Sequence, residues 1–177
     1  MILFTGTISY YPNTEGILWF HKNVWSLIKA KNPDATFCIA GKSPPPEVES
    51  LAKSDASITV TGAVDDMRDY YAKAAVVVVP LRVGGGTRLK ILEGMAMQKA
   101  IVSTSVGAEG IDHTNGIDIL LRDTPESFAD AVVDVMSDSK LRTGLEVAGR
   151  QLVEAKYDWK AVGNILCDVF ESHVKAA

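Results

Sequence analysis

Cysteine is scarce in this chain, with two in 177 residues. Cys38 lies in the apolar run "TFCIAG" and Cys167 in an apolar helical pattern, so two buried free thiols are expected and a disulfide framework is excluded. Histidine is nearly as rare, and no His or Cys pair stands at metal-ligand spacing, which argues against a zinc site. His21 and His113 belong to no triad-like arrangement. Positive charge is not in excess: 18 Lys and Arg face 22 Asp and Glu, for a net charge of -4. No basic field is available to hold nucleic acid. No apolar run reaches the roughly 18 residues of a membrane span, and "MILFTG" reads as a strand and not as a signal peptide. Membrane association is therefore expected to be peripheral at most, and the setting reducing and cytoplasmic. Several motifs are missing too. No G-x-G-x-x-G follows the first strand, so nicotinamide dinucleotide binding is disfavoured. No G-x-S-x-G occurs, which removes the common esterase reading. No two aspartates lie two apart, so a D-x-D metal clamp is absent.

What the chain does have is an ordinary globular composition, 47% hydrophobic and 23% charged, and a length that can bury a real core. Strand and helix patterns alternate along it. "MILFTG", "ATFCIAG", "SITVTG", "AVVVVP", "AIVSTS" and "IDILL" read as six strands. The fourth is apolar on both faces, as a central strand of a parallel sheet is. Between them, residues 14–31 place Ile17, Phe20, Val24, Leu27 and Ile28 at helical spacing behind Asn13 or Thr14 as cap. Shorter helices are expected near 46–53 and in "DDMRDYYAKA", and three more at about 125–137, 139–155 and 158–175. The pattern implies a single α/β domain over 1–177, a doubly wound parallel sheet of about six strands, Rossmann-like, with C-terminal helices. With the common order 3-2-1-4-5-6, the sheet reverses between strands 1 and 4. A ligand would then sit at the loops Gly6–Asn13 and Leu81–Thr87.

The second loop opens "VPLRVGGGTRLKILEGMAMQKAIVST". Gly84, Gly85 and Gly86 let the backbone approach a ligand closely beside a helix N-terminus, an arrangement that suits phosphate. Arg88 and Lys90 stand at the electropositive end of that helix, where cations are unfavourable unless an anion is present. On a helical wheel Glu93 falls between Leu89 and Met97, and only Lys90 and Gly94 form a polar sector. A helix so apolar is expected to be buried, with Glu93 a partly buried carboxylate in need of hydrogen-bond donors. Donors for a diphosphate and an acceptor for ribose hydroxyls would fit this spacing. "AGKS" at 40–43 resembles the end of a phosphate loop but lacks the upstream glycine, and Pro44–Pro46 obstruct the helix such a loop needs. Glu109 in "VGAEGI" is a candidate for the cleft, as are Tyr10 and Tyr11. Trp19 and Trp25 are expected to pack, and Trp159 to pack the last helix onto the sheet. His113 is expected to be solvated.

These residues resemble the C-terminal, nucleotide-sugar-binding domain of retaining glycosyltransferases of the GT-B fold, in the large glycosyl transferases group 1 family. The likeness runs through "ILFTGTISYYPN", "TFCIAGKSPP" and, most specifically, "ITVTGAVDDMRDYYAKAAVVVVPLRVGGGTRLKILEGMAMQKAIVSTSVGAEGI". The resemblance implies a transferase that moves a sugar from a nucleotide-diphosphate sugar to a glycan or other acceptor, with no metal and no cofactor beyond the donor. Of the family's two glutamates eight positions apart, the second corresponds to Glu93, expected on the ribose. The first falls on Gly85, so the usual sugar-holding carboxylate is missing, and the N–H groups of Gly84, Gly85, Gly86 and Thr87 are its expected replacement. Thr7 follows Gly6 where an arginine is common, which leaves Arg88 and Lys90 to stabilise the leaving diphosphate. The segment Ala63–Met67, including Met67, resembles the one that reads the nucleobase, and Glu109 is a candidate contact to the donor sugar. Gln98 stands where glycine is common and Ala100 where proline is. The resemblance implies that the family's acceptor-binding N-terminal domain is absent from these 177 residues. By resemblance the chain is half an enzyme, expected to bind a nucleotide weakly and transfer nothing alone. A nucleotide-sugar epimerase domain of the same fold, or a non-catalytic regulatory module, are the alternative readings.

Overall fold

The computed structural model describes residues 1–174, with side chains through Phe170. Six strands form one sheet: β1 Ile2–Thr5, β2 Phe37–Ala40, β3 Ile58–Val60, β4 Val76–Val79, β5 Ile101–Ser103 and β6 Leu120–Leu121. Their order is β3-β2-β1-β4-β5-β6 and every pairing is parallel. The reversal of direction therefore lies between β1 and β4. Every residue of β1, β2 and β4 is buried, which is why these strands read as unbroken apolar runs.

Helices cover both faces. α1 (Tyr11–Phe20), a π-helical turn (His21–Trp25) and α2 (Ser26–Lys31) form one continuous rod. It begins earlier than the sequence pattern suggests, because Pro12 sits in the first turn, where its missing N–H costs nothing. Tyr10 is the cap residue, and the side chains of Asn13 and Thr14 instead donate to the carbonyls of Thr7 (2.8 Å) and Ile8 (2.6 Å). The π turn inserts an extra residue per turn and so rotates the following side chains. Trp25 ends up 4% exposed, its indole N–H donating to Asp55 at 2.8 Å. Trp19 and Phe20 pack on Phe128 of α6 (Pro125–Ser137), with ring centroids 6.1 and 5.8 Å apart. α3 (Pro46–Ser54) and α4 (Arg68–Lys73) cross over beside the strands they join. α5 (Leu89–Ala96) packs on α7 (Ser139–Lys156), where Gly149 admits Met95.

The last helix, α8 (Trp159–Val174), overturns two expectations. Trp159 does not pack the helix onto the sheet but is 89% exposed, and Cys167 is exposed and not buried. Val162, Ile165, Leu166 and Phe170 are exposed with them. The apolar periodicity is real, but the face it defines is turned away from this chain's own core. Gln98, at a position where glycine is common by resemblance, takes φ +52°. That left-handed conformation costs a non-glycine residue about 1 kcal/mol.

Candidate functional site

The carboxyl ends of β1 and β4 open into a cleft of about 810 Å³. Gly6, Thr7 and Tyr10 line it from the loop after β1, Gly41 and Lys42 from the loop after β2, and Ala63, Val64 and Met67 from the loop after β3. Gly85, Thr87, Arg88, Leu89, Lys90 and Glu93 close the far wall. Parallel strands point their carboxyl ends one way, so four loops meet at the reversal and the floor is backbone.

Gly41 sets that floor. A Cβ there would stand 1.8 Å from the Gly6 carbonyl oxygen, and its φ is +152°. The two loops thus touch through backbone, stitched by Gly6 N–H to Ala40 (3.2 Å) and Ile8 N–H to Lys42 (2.9 Å). Ser43 in "AGKS" takes φ +56° and no helix begins until Pro46, so this segment is not a phosphate loop. Lys42 nonetheless lines the cleft, a placement the failed motif could not indicate.

The α5 wall differs from its wheel. The helix is not buried all round: Leu89 is 60% exposed and Glu93 is exposed as well. Leu89 and Glu93 are four residues apart and share the stripe that faces the cleft, whereas Ile91, Gly94 and Met95 face the sheet. Glu93 finds its donor in Tyr71, whose hydroxyl lies 3.3 Å from Oε2 and 3.0 Å from Thr5 Oγ1. Tyr71 is 2% exposed, and burial holds its hydroxyl well above its ordinary pKa, so it stays a neutral donor. Tyr71→Phe removes the hydrogen bonds to both Glu93 and Thr5 and is expected to lower the melting temperature by roughly 2–8 °C, as a loss of about 1–2 kcal/mol does, which a thermal melt reads.

Lys90, in the polar sector of the wheel, turns under the loop after β1. Its Nζ donates to Asn13 Oδ1 at 2.5 Å and lies 4.1 Å from the Phe4 ring centroid. Burial, with the Arg88 charge nearby, lowers its pKa to about 7, against the opposing pull of Glu93. Arg88 departs further. It is 5% exposed, and its guanidinium donates to the carbonyls of Gly84 (2.9 Å), Gly85 (3.2 Å) and Val106 (3.0 Å). A glycine loop in irregular conformation leaves carbonyls without partners, and the planar fork satisfies three at once. The cation at the helix start answers these carbonyls, and its Nε has no partner among the described residues. Glu109 does not line the cleft; it is exposed, 3.8 Å from Arg88. Gly84 and Gly86 do not line the cleft; both are exposed, with Gly84 packed against Pro12. Besides Lys42, sequence reasoning missed the roles of Asn13 and Tyr71 at this cleft. In the sequence Asn13 has the signature of a helix cap, and Tyr71 that of an ordinary helix face.

The all-parallel sheet, its flanking helices and a cleft at the switch point define a Rossmann-like α/β ligand-binding domain, one half of a GT-B fold. Comparison with known proteins carries this further. The model of the family "Glycosyl transferases group 1" matches residues 1–138, and the chain belongs to that family. An uncharacterized 44.6 kDa protein in the cps region of Klebsiella pneumoniae is 24% identical over 168 residues, which are 91% of this chain and 43% of that protein. Among solved structures, the C-terminal domain of a glycosyl transferase group 1 family protein from Francisella tularensis is 25% identical, with a TM-score of 0.70 over 89% of this chain and 86% of that one. An Anabaena protein in complex with UDP-glucose matches with a TM-score of 0.76 and 13% identity, covering 97% of this chain and 48% of its own. The chain spans less than half the length of the curated relatives it matches. No described helix is long and apolar enough to cross a membrane.

Proposed function

We propose that this chain is the donor-binding half of a glycosyltransferase that moves a sugar from a nucleotide-diphosphate sugar to a glycan or other acceptor. The observation that carries the reading is the α5 wall. It sets a half-buried ammonium, Lys90, and an oriented carboxylate, Glu93, three residues apart in one cleft at the sheet reversal. Lys90 answers the diphosphate and Glu93 accepts from the ribose hydroxyls. The segment Ala63–Met67 offers backbone to the base. Arg88 keeps Gly85 and Thr87 presented to the donor without touching the diphosphate itself. When the sugar–oxygen bond breaks, charge grows on the departing diphosphate, and a fixed ammonium in a partly dry cleft stabilises that charge. No step of this reading routes through a metal or a further cofactor. The sugar is held differently from most relatives, because Gly85 offers only backbone.

The acceptor side belongs, in this reading, to a second domain outside this chain, for which the greater length of its relatives leaves room. It faces the cleft and covers the apolar stripe of α8. The exposed free thiol of Cys167 suits a reducing, cytoplasmic setting.

Calorimetric titration of UDP-, GDP- and ADP-sugars into the 177-residue chain tests the reading. One of the three is expected to bind. Lys90→Met should weaken it roughly 10- to 100-fold and Glu93→Gln about tenfold, as lost charge-assisted hydrogen bonds do. The pH profile has a defined sign. Lys90 is charged below about 7 and neutral above it, so affinity should be highest below 7 and fall as pH rises through it. The diphosphate of a sugar nucleotide is doubly esterified and does not titrate there, so the fall belongs to the protein. No binding of any of the three at millimolar concentration by folded protein would sink the proposal.

A further inference from the structure

The loop after β1 and the lysine of α5 come from distant parts of the chain, yet one side chain joins them. Asn13, in the first turn of α1, is 6% exposed. Its Nδ2 donates to the Thr7 carbonyl at 2.8 Å, and its Oδ1 accepts from Lys90 Nζ at 2.5 Å across 77 residues of sequence. Only one orientation of the amide satisfies both, because one partner is an acceptor and the other a donor. A lysine ammonium on a four-carbon stem otherwise swings and rotates freely. Here three neighbours hem it in: Asn13, the Phe4 ring at 4.1 Å, and Gly6, where a Cβ would stand 3.3 Å from Nζ. The side left open is the cleft that Lys90 lines.

We propose that Asn13 is the positioning residue of the anion site. Through Oδ1 it keeps the Lys90 ammonium charged and aimed into the cleft. Through Nδ2 it ties the Gly6–Tyr10 loop to the same point, so that loop and cation form one prebuilt unit. The proposal deepens the donor reading and rests on it only for the identity of the anion. The groups around Lys90 leave this role open for Asn13. Arg88, on the same segment, opposes the charge, and Glu93 favours it. Tyr71 of α4 is neutral and engaged with Glu93 and Thr5. Lys42, from the loop after β2, is a further cation on the same cleft. α1 brings no carboxylate to the cleft, for its Glu15 lines a different groove.

The test reads Lys90 directly, by NMR titration of the lysine side chains in the whole chain, with Lys90→Arg for assignment. Asn13→Ala should lower the Lys90 midpoint by about one pH unit, since it removes a hydrogen bond to the charged form. Asn13→Asp, which keeps an oxygen there and adds charge, should raise it. Binding of inorganic pyrophosphate by Asn13→Ala should be roughly fivefold weaker than wild type at pH 7, and closer to wild type at pH 6, where the amine is recharged. A merely structural role would weaken binding equally at both pH values and leave the midpoint in place. Unmoved midpoints in both variants would overturn the assignment whatever the nucleotide result, and Asn13→Asp carries the test alone should Asn13→Ala not fold. If the wild-type chain binds pyrophosphate but no nucleotide sugar, and the midpoints shift, the donor reading falls and the Asn13 assignment stands.

Discussion

Arg88→Ala is expected to lower the unfolding free energy by roughly 2–4 kcal/mol and the melting temperature by about 6–12 °C, as losing a buried charged donor with three acceptors does. The side chain is 5% exposed and holds carbonyls from two separate loops, Gly84 and Gly85 on one and Val106 on the other. Its removal leaves three polar oxygens short of partners and uncouples the loops. Arg88→Lys should recover less than half of the loss, because a point charge cannot span three carbonyls as the planar fork does. Thermal melts and urea titrations read the result. The same variant separates two roles for the residue. If Arg88 were mainly a diphosphate ligand, as its place at the helix start suggests from sequence, Arg88→Ala would weaken nucleotide binding and leave the melting temperature within about 2 °C of wild type. That outcome would overturn the bracing role.

Gly41→Ala is expected to be comparably damaging, by about 2–5 kcal/mol. Overpacking costs about 1–3 kcal/mol, and left-handed backbone adds about 1–2 for a residue with a Cβ. The new methyl would meet the Gly6 oxygen at 1.8 Å and the Gly6 carbonyl carbon at 2.9 Å. Both are backbone, so no side chain can rotate away; the ends of β1 and β2 must part. The hydrogen bond from Ile8 to Lys42 would stretch with them, and the loop would leave Lys90. Gly85→Ala is the control. Nothing stands within 4 Å of a Cβ at that position, and its φ is not left-handed. It should stay within about 0.5 kcal/mol of wild type, as surface substitutions do. A Gly41→Ala variant within about 1 kcal/mol of wild type would contradict the backbone contact between the two loops, on the scale above.

The sheet was legible because its signals are local. Runs such as Val76–Val79 declare a doubly covered strand, and the expected strand order is the one observed. The site was legible in position and less so in detail. A helical wheel orders side chains by angle but does not know which sector borders empty space. Glu93 lies between Leu89 and Met97 on the wheel, which implies enclosure, yet Leu89 itself stands over the cleft. The sequence sets Arg88 against the helix dipole, worth a few tenths of a kcal/mol, whereas the three carbonyls it satisfies matter more. Asn13 read as a cap because its decisive partner, Lys90, is far away in sequence. α8 shows the same limit from the other side: periodicity reveals an apolar face but not what covers it.

The brace on the glycine loop has a consequence for how such a site can diversify. Arg88 grips main-chain oxygens, and every residue type carries the same ones. The side chain at position 85 therefore has no duty in holding the loop, and it points into open space. The floor of the cleft is backbone locked to backbone and intolerant of change, while position 85 on the far wall can exchange side chains without refolding. Under the proposed donor reading, recognition of a new sugar can be acquired at a single codon while the residues assigned to the anion stay untouched.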